Sequence, residues 1–366
     1  MNLWTWFEQY RAKNAHDAPR LRLVDAYSEA YALRESQPGR AVAIFSEACD
    51  LAERLREPWW RLLYEKFRLD ALMHFQRDFR EVLEVAMHLT AEAATPSFAE
   101  LPEPYYIADT LLAAYLGIDA AGYPETIRET LTRWEGDVPA EPCPARYLLL
   151  ARRRQFAMEE ERWADADDLA ERELELASHD PDAERAMHFS LFAYTAMCQL
   201  AYRRAADEVL AHAAERAVEL AQRCGQACEE AEALAWLALA ARRAGRDHQA
   251  QQAQRQAVGR MQHLGIPPAP GYFTALAAFH EQREDLDAAL EVRSRELTAV
   301  HDHNRRWYEC RTHLERCRLL ARLGRPLAEP IEQALTAAAQ LRCPDRYEDQ
   351  LEQIQIGENR AINAIG

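Results

Sequence analysis

Lysine is almost absent from this chain. Of 44 basic residues only Lys13 and Lys66 are lysines, so nearly every cation is an arginine guanidinium. Neither lysine follows a glycine and no Gly-x-Gly-x-x-Gly occurs, which excludes the glycine-rich loops that cradle nucleotide phosphates. No serine lies in a Gly-x-Ser-x-Gly elbow, the nucleophile turn of α/β-hydrolases. Eighteen apolar residues never run together, and Met1 to Glu8 carry neither a basic start nor a long apolar run, so a soluble, unsecreted protein without a membrane span is expected. Serine- and glycine-rich linkers are missing too, which favours one continuous domain over 1–366. Period-two alternation is not found, so strands are not expected. The eight cysteines, at 49, 143, 198, 224, 228, 310, 317 and 343, are scattered through mostly helix-like patterns. They read as reduced, core-forming residues of a cytoplasmic protein.

What is present is a turn that returns about every forty residues. Gly39-Arg40, Asp78-Phe79, Gly245-Arg246, Glu284-Asp285 and Gly324-Arg325 each separate two helix-like stretches, and further breaks fall near Gly122, Glu160 and Arg204. A hairpin of two helices cannot bury its own apolar face, so a run of them at fixed period stacks, each using its neighbours as core. Eight hairpins are expected, at residues 20–56, 59–94, 104–134, 145–177, 181–224, 229–264, 271–300 and 304–341. Prolines punctuate the junctions, as at Pro96, Pro102, Pro104, Pro139, Pro142, Pro144, Pro267, Pro268, Pro270 and Pro344. Asp180-Pro181 reads as an N-cap followed by proline in the first turn. Cys224-Gly225-Gln226-Ala227-Cys228 reads as the junction of the fifth and sixth hairpins, closed by a helix-ending glycine.

Within the hairpins, Ala233-Leu234-Ala235-Trp236-Leu237-Ala238, the Gly245-Arg246 turn, Ala250 and Ala257 resemble a tetratricopeptide repeat. Leu276-Ala277, Glu284-Asp285-Leu286 and Ala289 repeat the pattern; so do Trp163, Ala166 and Ala170, and Phe79, Val82 and Ala86. The small residues let two antiparallel helices approach closely, and the aromatic fills the gap at the turn. The forty-residue period is similar to the longer variant of bacterial signalling ATPases and peptide-sensing regulators. This resemblance implies an all-α fold: a right-handed superhelix of about eight hairpins (20–342), capped by a helix within 1–18 and by 345–366. Leu3, Phe7 and Tyr10, widened by Trp4 and Trp6, form the apolar face of the first cap; Tyr347, Leu351 and Ile354 form that of the second.

The formal net charge is −16, from 60 acidic and 44 basic side chains, which opposes general attraction to nucleic acid or to anionic membrane. Charge is also uneven. Twelve carboxylates lie between Glu159 and Glu184 against Arg162 and Arg172, whereas seven arginines between Arg305 and Arg325 face only Glu309 and Glu315.

Candidate reactive groups fall short of known chemistry. His280-Glu281-Gln282-Arg283-Glu284 starts like a zinc-protease helix but places glutamate where the second histidine is needed. Cys310, His313 and Cys317 share a helical face with Leu314, Leu320 and Ala321, and a core stripe accounts for them. A zinc site would need a further ligand such as Cys343 or His301. His301-Asp302-His303 falls at a helix junction where Asp302 or Asn304 suits an N-cap. No catalytic group, metal or cofactor is therefore expected. Arg311, Arg318 and Arg322 fall at i, i+7 and i+11 on one helix, and Arg242 and Arg243 take comparable places earlier, near Trp236 and Leu239. The tetratricopeptide resemblance implies that such first helices line the inner groove. The expectation is a non-catalytic adaptor, scaffold or sensor, holding a protein or peptide with acidic groups against these arginines and Trp236. Helical-repeat RNA binding is the alternative reading, opposed by the net charge and by the lack of a base-reading pair in each repeat. An enzyme with an unrecognised groove site is a third.

Overall fold

The computed structural model describes residues 3–34, 36–76, 78–79, 81–98, 103–264, 266–301, 305–345 and 347–354. Asp302, His303 and Asn304, named above as possible metal ligands or caps, lie outside the described residues, as do Pro102 and residues 355–366 of the expected C-terminal cap. Among the described residues there is no strand, and no helix is long and apolar enough to cross a membrane.

The protein is an all-α helical repeat. After α1 (Leu3–Lys13), helices pair consecutively as α2 (Ala18–Leu33) with α3 (Pro38–Leu55), α4 (Pro58–Ala71) with α5 (Val82–Ala93), and α6 (Tyr105–Asp119) with α7 (Pro124–Asp137). The series continues as α8 (Pro144–Glu159) with α9 (Trp163–Ser178), α10 (Ala183–Arg203) with α11 (Asp207–Cys224), and α12 (Ala227–Arg243) with α13 (Asp247–Gln262). It closes with α14 (Pro270–Glu281) and α15 (Leu286–His301), then α16 (Arg306–Arg322) and α17 (Ala328–Ala338). These are the eight expected hairpins.

The inner turns of the last five hairpins share one backbone device. Glu161, Ala205, Gly245, Glu284 and Gly324 all adopt left-handed φ, between 54° and 72°, at successive spacings of 44, 40, 39 and 40 residues. In each case the next residue's N–H reaches back to the carbonyl five residues earlier: Arg162 to Ala157, Ala206 to Ala201, Arg246 to Ala241, Asp285 to His280 and Arg325 to Leu320, at 2.8 to 3.1 Å. This bond satisfies a carbonyl left open at the end of the first helix and aims the chain into the second.

Two local expectations are corrected. The first turn is not Gly39-Arg40, since Pro38 and Gly39 already open α3 and the chain reverses ahead of them. Asp182, not Asp180, caps α10, accepting from the Arg185 N–H at 3.0 Å. Asp180 stands outside the helix, where it holds the Arg185 guanidinium at 2.5 and 2.8 Å and accepts from the Tyr147 hydroxyl at 2.9 Å. Gly225 does end α11 in the left-handed conformation.

The chain forms two compact units, one of residues 1–115, 128–138 and 264–267, the other of 116–127, 139–263 and 268–366. The first unit is aromatic-rich: Trp60 is fully buried, with the rings of Trp6, Phe7 and Tyr10 4.7 to 5.0 Å away. This fixes α1 as a cap, with Leu3 and Phe7 buried and Trp4 exposed. The second unit is alanine-rich. Ala238, Ala241, Ala250 and Ala253 pack with Phe279, and Ala289 is fully buried. Small side chains at helix crossings let stacked hairpins meet backbone to backbone.

Candidate functional site

The arginines nominated by sequence separate into two sets in the second unit. Arg243 pairs with Asp207 at 2.7 Å and lies 5.2 Å over the Tyr202 ring. Arg242 pairs with Asp247 and Arg322 with Glu281. Arg318 is held by Glu315 at 2.6 Å and by Gln350 at 3.3 Å. Each of these four guanidiniums therefore has a carboxylate beside it. Arg311 does not: its Nη2 donates to the Thr274 hydroxyl at 3.4 Å, and its guanidinium lies 5.1 Å from the ring centres of both Trp307 and Tyr308.

Trp236 and Leu239 stand apart from the arginines. Both are fully buried in the core of the second unit, where Trp236 packs against Tyr202 and points its Nε1 toward Glu232 at 3.4 Å. The apolar contact expected of Trp236 is thus made with the protein itself, because the pattern that identified a repeat also identified its core.

Around Arg311 the structure assembles groups that sequence spacing did not bring together. Arg293 on α15 donates to the same Thr274 hydroxyl at 3.4 Å and to Glu296 at 2.6 Å. Arg203, at the end of α10, is exposed to solvent yet held below the usual arginine pKa range. Loss of solvent around it is the largest cause, followed by the positive charge of Arg311; Arg293 adds to the effect, while Glu315 and Tyr202 oppose it. Among the described residues neither Arg203 nor Arg311 has a carboxylate within ion-pair distance. Arg293 and Arg311, from the seventh and eighth hairpins, meet at the Thr274 hydroxyl, with the Tyr308 ring beside Arg311.

Arg203 could have been found from sequence. It lies two residues before the left-handed residue Ala205, as Arg243 does before Gly245 and Arg322 before Gly324. The fifth hairpin lacks glycine at that turn, and this hid its register. Between α10 and α12, Gln199 Nε2 donates to Glu232 at 3.2 Å, and a Cβ on Gly271 would stand 1.9 Å from the Glu232 carboxylate. Gly271 therefore leaves the room that the Glu232 carboxylate occupies.

Cys310, His313 and Cys317 are buried, Cys310 among Trp307, Ala337 and Leu341, and Cys317 among Leu314, Leu327 and Ile331. Burial lowers the His313 pKa to about 4, with Arg316 and His301 adding to the effect. His301 lies on the surface 2.7 Å from Glu309, and Cys343 is exposed with its thiol 3.5 Å from the Ala121 carbonyl. His280 is also held below its usual pKa, chiefly by burial.

No family model matches the chain, and no curated protein matches it by sequence. Among solved structures it resembles a Rap protein crystallised in complex with competence and sporulation factor, with a TM-score of 0.56 and 11% identity over 80% of each chain. At that identity the likeness is one of fold, and it agrees with the tetratricopeptide-like repeat described above.

Proposed function

We propose that this chain is a non-catalytic scaffold or sensor that holds a protein or peptide through acidic groups against the arginines of its second unit. The observation that carries the reading is Arg311, whose guanidinium has no carboxylate within ion-pair distance among the described residues, while the other nominated arginines are each paired. Charges held in that way favour an anionic ligand, because the ligand restores what burial removed. Arg242, Arg243, Arg318 and Arg322 then act from the rim, steering an acidic partner more than binding it. The Rap protein, with the same fold, was crystallised with a bound factor, which supports a holding role for such repeats. A cytoplasmic setting fits the eight free cysteines.

The test compares wild type, Arg203→Glu with Arg311→Glu, and Arg318→Glu with Arg322→Glu. Each is used to capture partners from the native host, and the recovered partner is then titrated by calorimetry at low and moderate salt. The first pair should lower affinity at least tenfold at both salts, the second mainly at low salt. Equal affinities across all three proteins would sink the reading. Capture that vanishes on nuclease treatment would transfer it to RNA.

A further inference from the structure

We propose that the second unit carries a latch, made by the turn after α6 and the two residues Arg342 and Cys343 after α17, which ties the two ends of its hairpin array together and opens reversibly while the hairpins stay folded. In a stack of hairpins each is expected to touch only its neighbours. From α8 to α17 the helices pack successively, each on those near it in the chain. The turn Ala120–Gly122 breaks that rule. Residues 116–127 belong to the second unit, where this turn packs on α8 at the start of the array and also bonds to Arg342 and Cys343 at its end.

Asp119 is the centre of the latch. It is 4% exposed; its Oδ1 accepts from the Gly122 N–H at 3.1 Å within its own turn, and its Oδ2 accepts from the Arg342 N–H at 3.0 Å, across 223 residues of chain. The Arg342 side chain closes over the same turn, with its guanidinium 4.6 Å from the centre of the Tyr123 ring and its Nη1 donating to the Gly122 carbonyl at 3.4 Å. The Cys343 thiol donates to the Ala121 carbonyl at 3.5 Å. Gly122 is required here, since a Cβ would stand 2.4 Å from Asp119 Oδ2 and 3.0 Å from the Arg342 Cβ. A carboxylate is required as well. Both of its oxygens accept from backbone N–H groups, and an amide in its place would turn an NH2 toward one of those donors.

The latch is small beside what it spans. Arg342 and Cys343 are exposed and their contacts with the turn are hydrogen bonds and one cation–ring contact, whereas the crossings of the array are packed with buried alanine and leucine. A segment held by so few buried contacts opens at a fraction of the free energy that unfolds the core. Opening frees the two ends of the array from each other, so the latch limits how far the stacked hairpins can splay.

The experiment uses the full chain as wild type, Asp119→Asn, Gly122→Ala, Arg342→Ala and the surface control Arg325→Ala, whose pair with Asp287 lies elsewhere in the array. Amide hydrogen exchange is followed at positions 122 and 342 and in α12, together with the radius of gyration from X-ray scattering and the thermal midpoint. In wild type, positions 122 and 342 should exchange faster than the buried amides of α12 yet slower than free peptide. Asp119→Asn should speed exchange at both positions about tenfold, the factor expected when a charge-assisted hydrogen bond is lost, and leave α12 unchanged. Each latch variant should raise the radius of gyration with little change in midpoint, and Arg325→Ala should do neither.

Wild-type exchange at 122 and 342 as slow as in α12 would mean that the contact opens only on global unfolding, and would overturn the latch. So would Asp119→Asn speeding exchange equally in α12, or unchanged scattering and exchange in all three variants. Should Gly122→Ala fail to fold, Asp119→Asn carries the test, because it keeps the volume of the side chain and removes only the second acceptor.

Discussion

Arg154 and Glu173 join α8 to α9 through a forked pair of hydrogen bonds, Nε to Oε1 at 2.8 Å and Nη2 to Oε2 at 3.1 Å, with side chains only 8% and 2% exposed. Burial pushes the Glu173 carboxyl up, and Arg154 only partly counters it. Replacing Arg154 with methionine would leave that carboxylate buried and unpaired, and the least costly response is for it to take up a proton. From the ordinary value of 4.5, protonation at pH 7 costs about 3 kcal/mol at 1.36 kcal/mol per unit. At pH 5 the cost falls below about 1 kcal/mol by the same rule. The sign follows from linkage: a carboxyl whose folded pKa is raised is favourable while protonated, and its stability is lost as pH rises past the unfolded value. Arg154→Met should therefore be destabilised by about 3 kcal/mol at pH 7 and recover most of that at pH 5, relative to wild type at each pH. Removing both charges, Arg154→Met with Glu173→Leu, should return stability to near or above wild type, since apolar replacement of a buried pair is commonly neutral or favourable. Urea unfolding followed by circular dichroism measures all three. An Arg154→Met deficit equal at both pH values, or a double variant as unstable as the single one, would refute the reasoning.

Other expectations concern the repeat. Ala250→Leu and Ala289→Leu put extra volume into fully packed helix crossings, 1% and 0% exposed, and should each cost about 1–3 kcal/mol in a thermal melt. Gly245→Ala meets no atom within 4 Å, so its cost is backbone strain alone at φ +72°, about 1 kcal/mol; Ala205→Gly, at φ 54°, should be neutral or stabilising by a similar amount. Opposite signs to these would place the turns elsewhere. His313, depressed to about 4, stays neutral in the fold while the unfolded chain takes up a proton below about 6.5. Stability should thus be full above that value and fall toward pH 4, and His313→Gln should flatten part of this slope, with His280 contributing in the same direction.

The periodic features were legible because repetition averages over local ambiguity. Eight hairpins could be placed from apolar spacing and proline punctuation even where a turn carried Glu or Ala in place of glycine, since the packing that sets the period is shared by all of them. Single junctions were less readable. Asp180 and Asp182 are both plausible caps by residue type, and the choice was made by Tyr147 and Arg185, which draw Asp180 away. The site was half legible. Arg311 was found as a member of a helical stripe, yet its distinction from Arg318 and Arg322 depends on which carboxylates lie across the stack, and that is tertiary information. Trp236 was read as a groove residue because an aromatic at that spacing is equally good core.

The distribution of those carboxylates follows from the repeat itself. Arg204, Arg243 and Arg325 each pair with an acid near the start of the second helix of the preceding hairpin: Asp167, Asp207 and Asp287. The ladder recurs because residues flanking the turn meet the same position one repeat earlier. In the sixth hairpin the pairing falls to Arg243, two residues before the left-handed turn; in the fifth it falls to Arg204, one residue before. A helical rotation of about 100° separates successive side chains. With Arg204 committed to the ladder, Arg203 is left with no carboxylate within ion-pair distance among the described residues. A one-residue difference in which arginine meets the acid thus decides which of two neighbouring arginines makes the surface pair. Exposed pairs of this kind contribute little to stability, so the repeat maintains its fold with either arginine in the ladder.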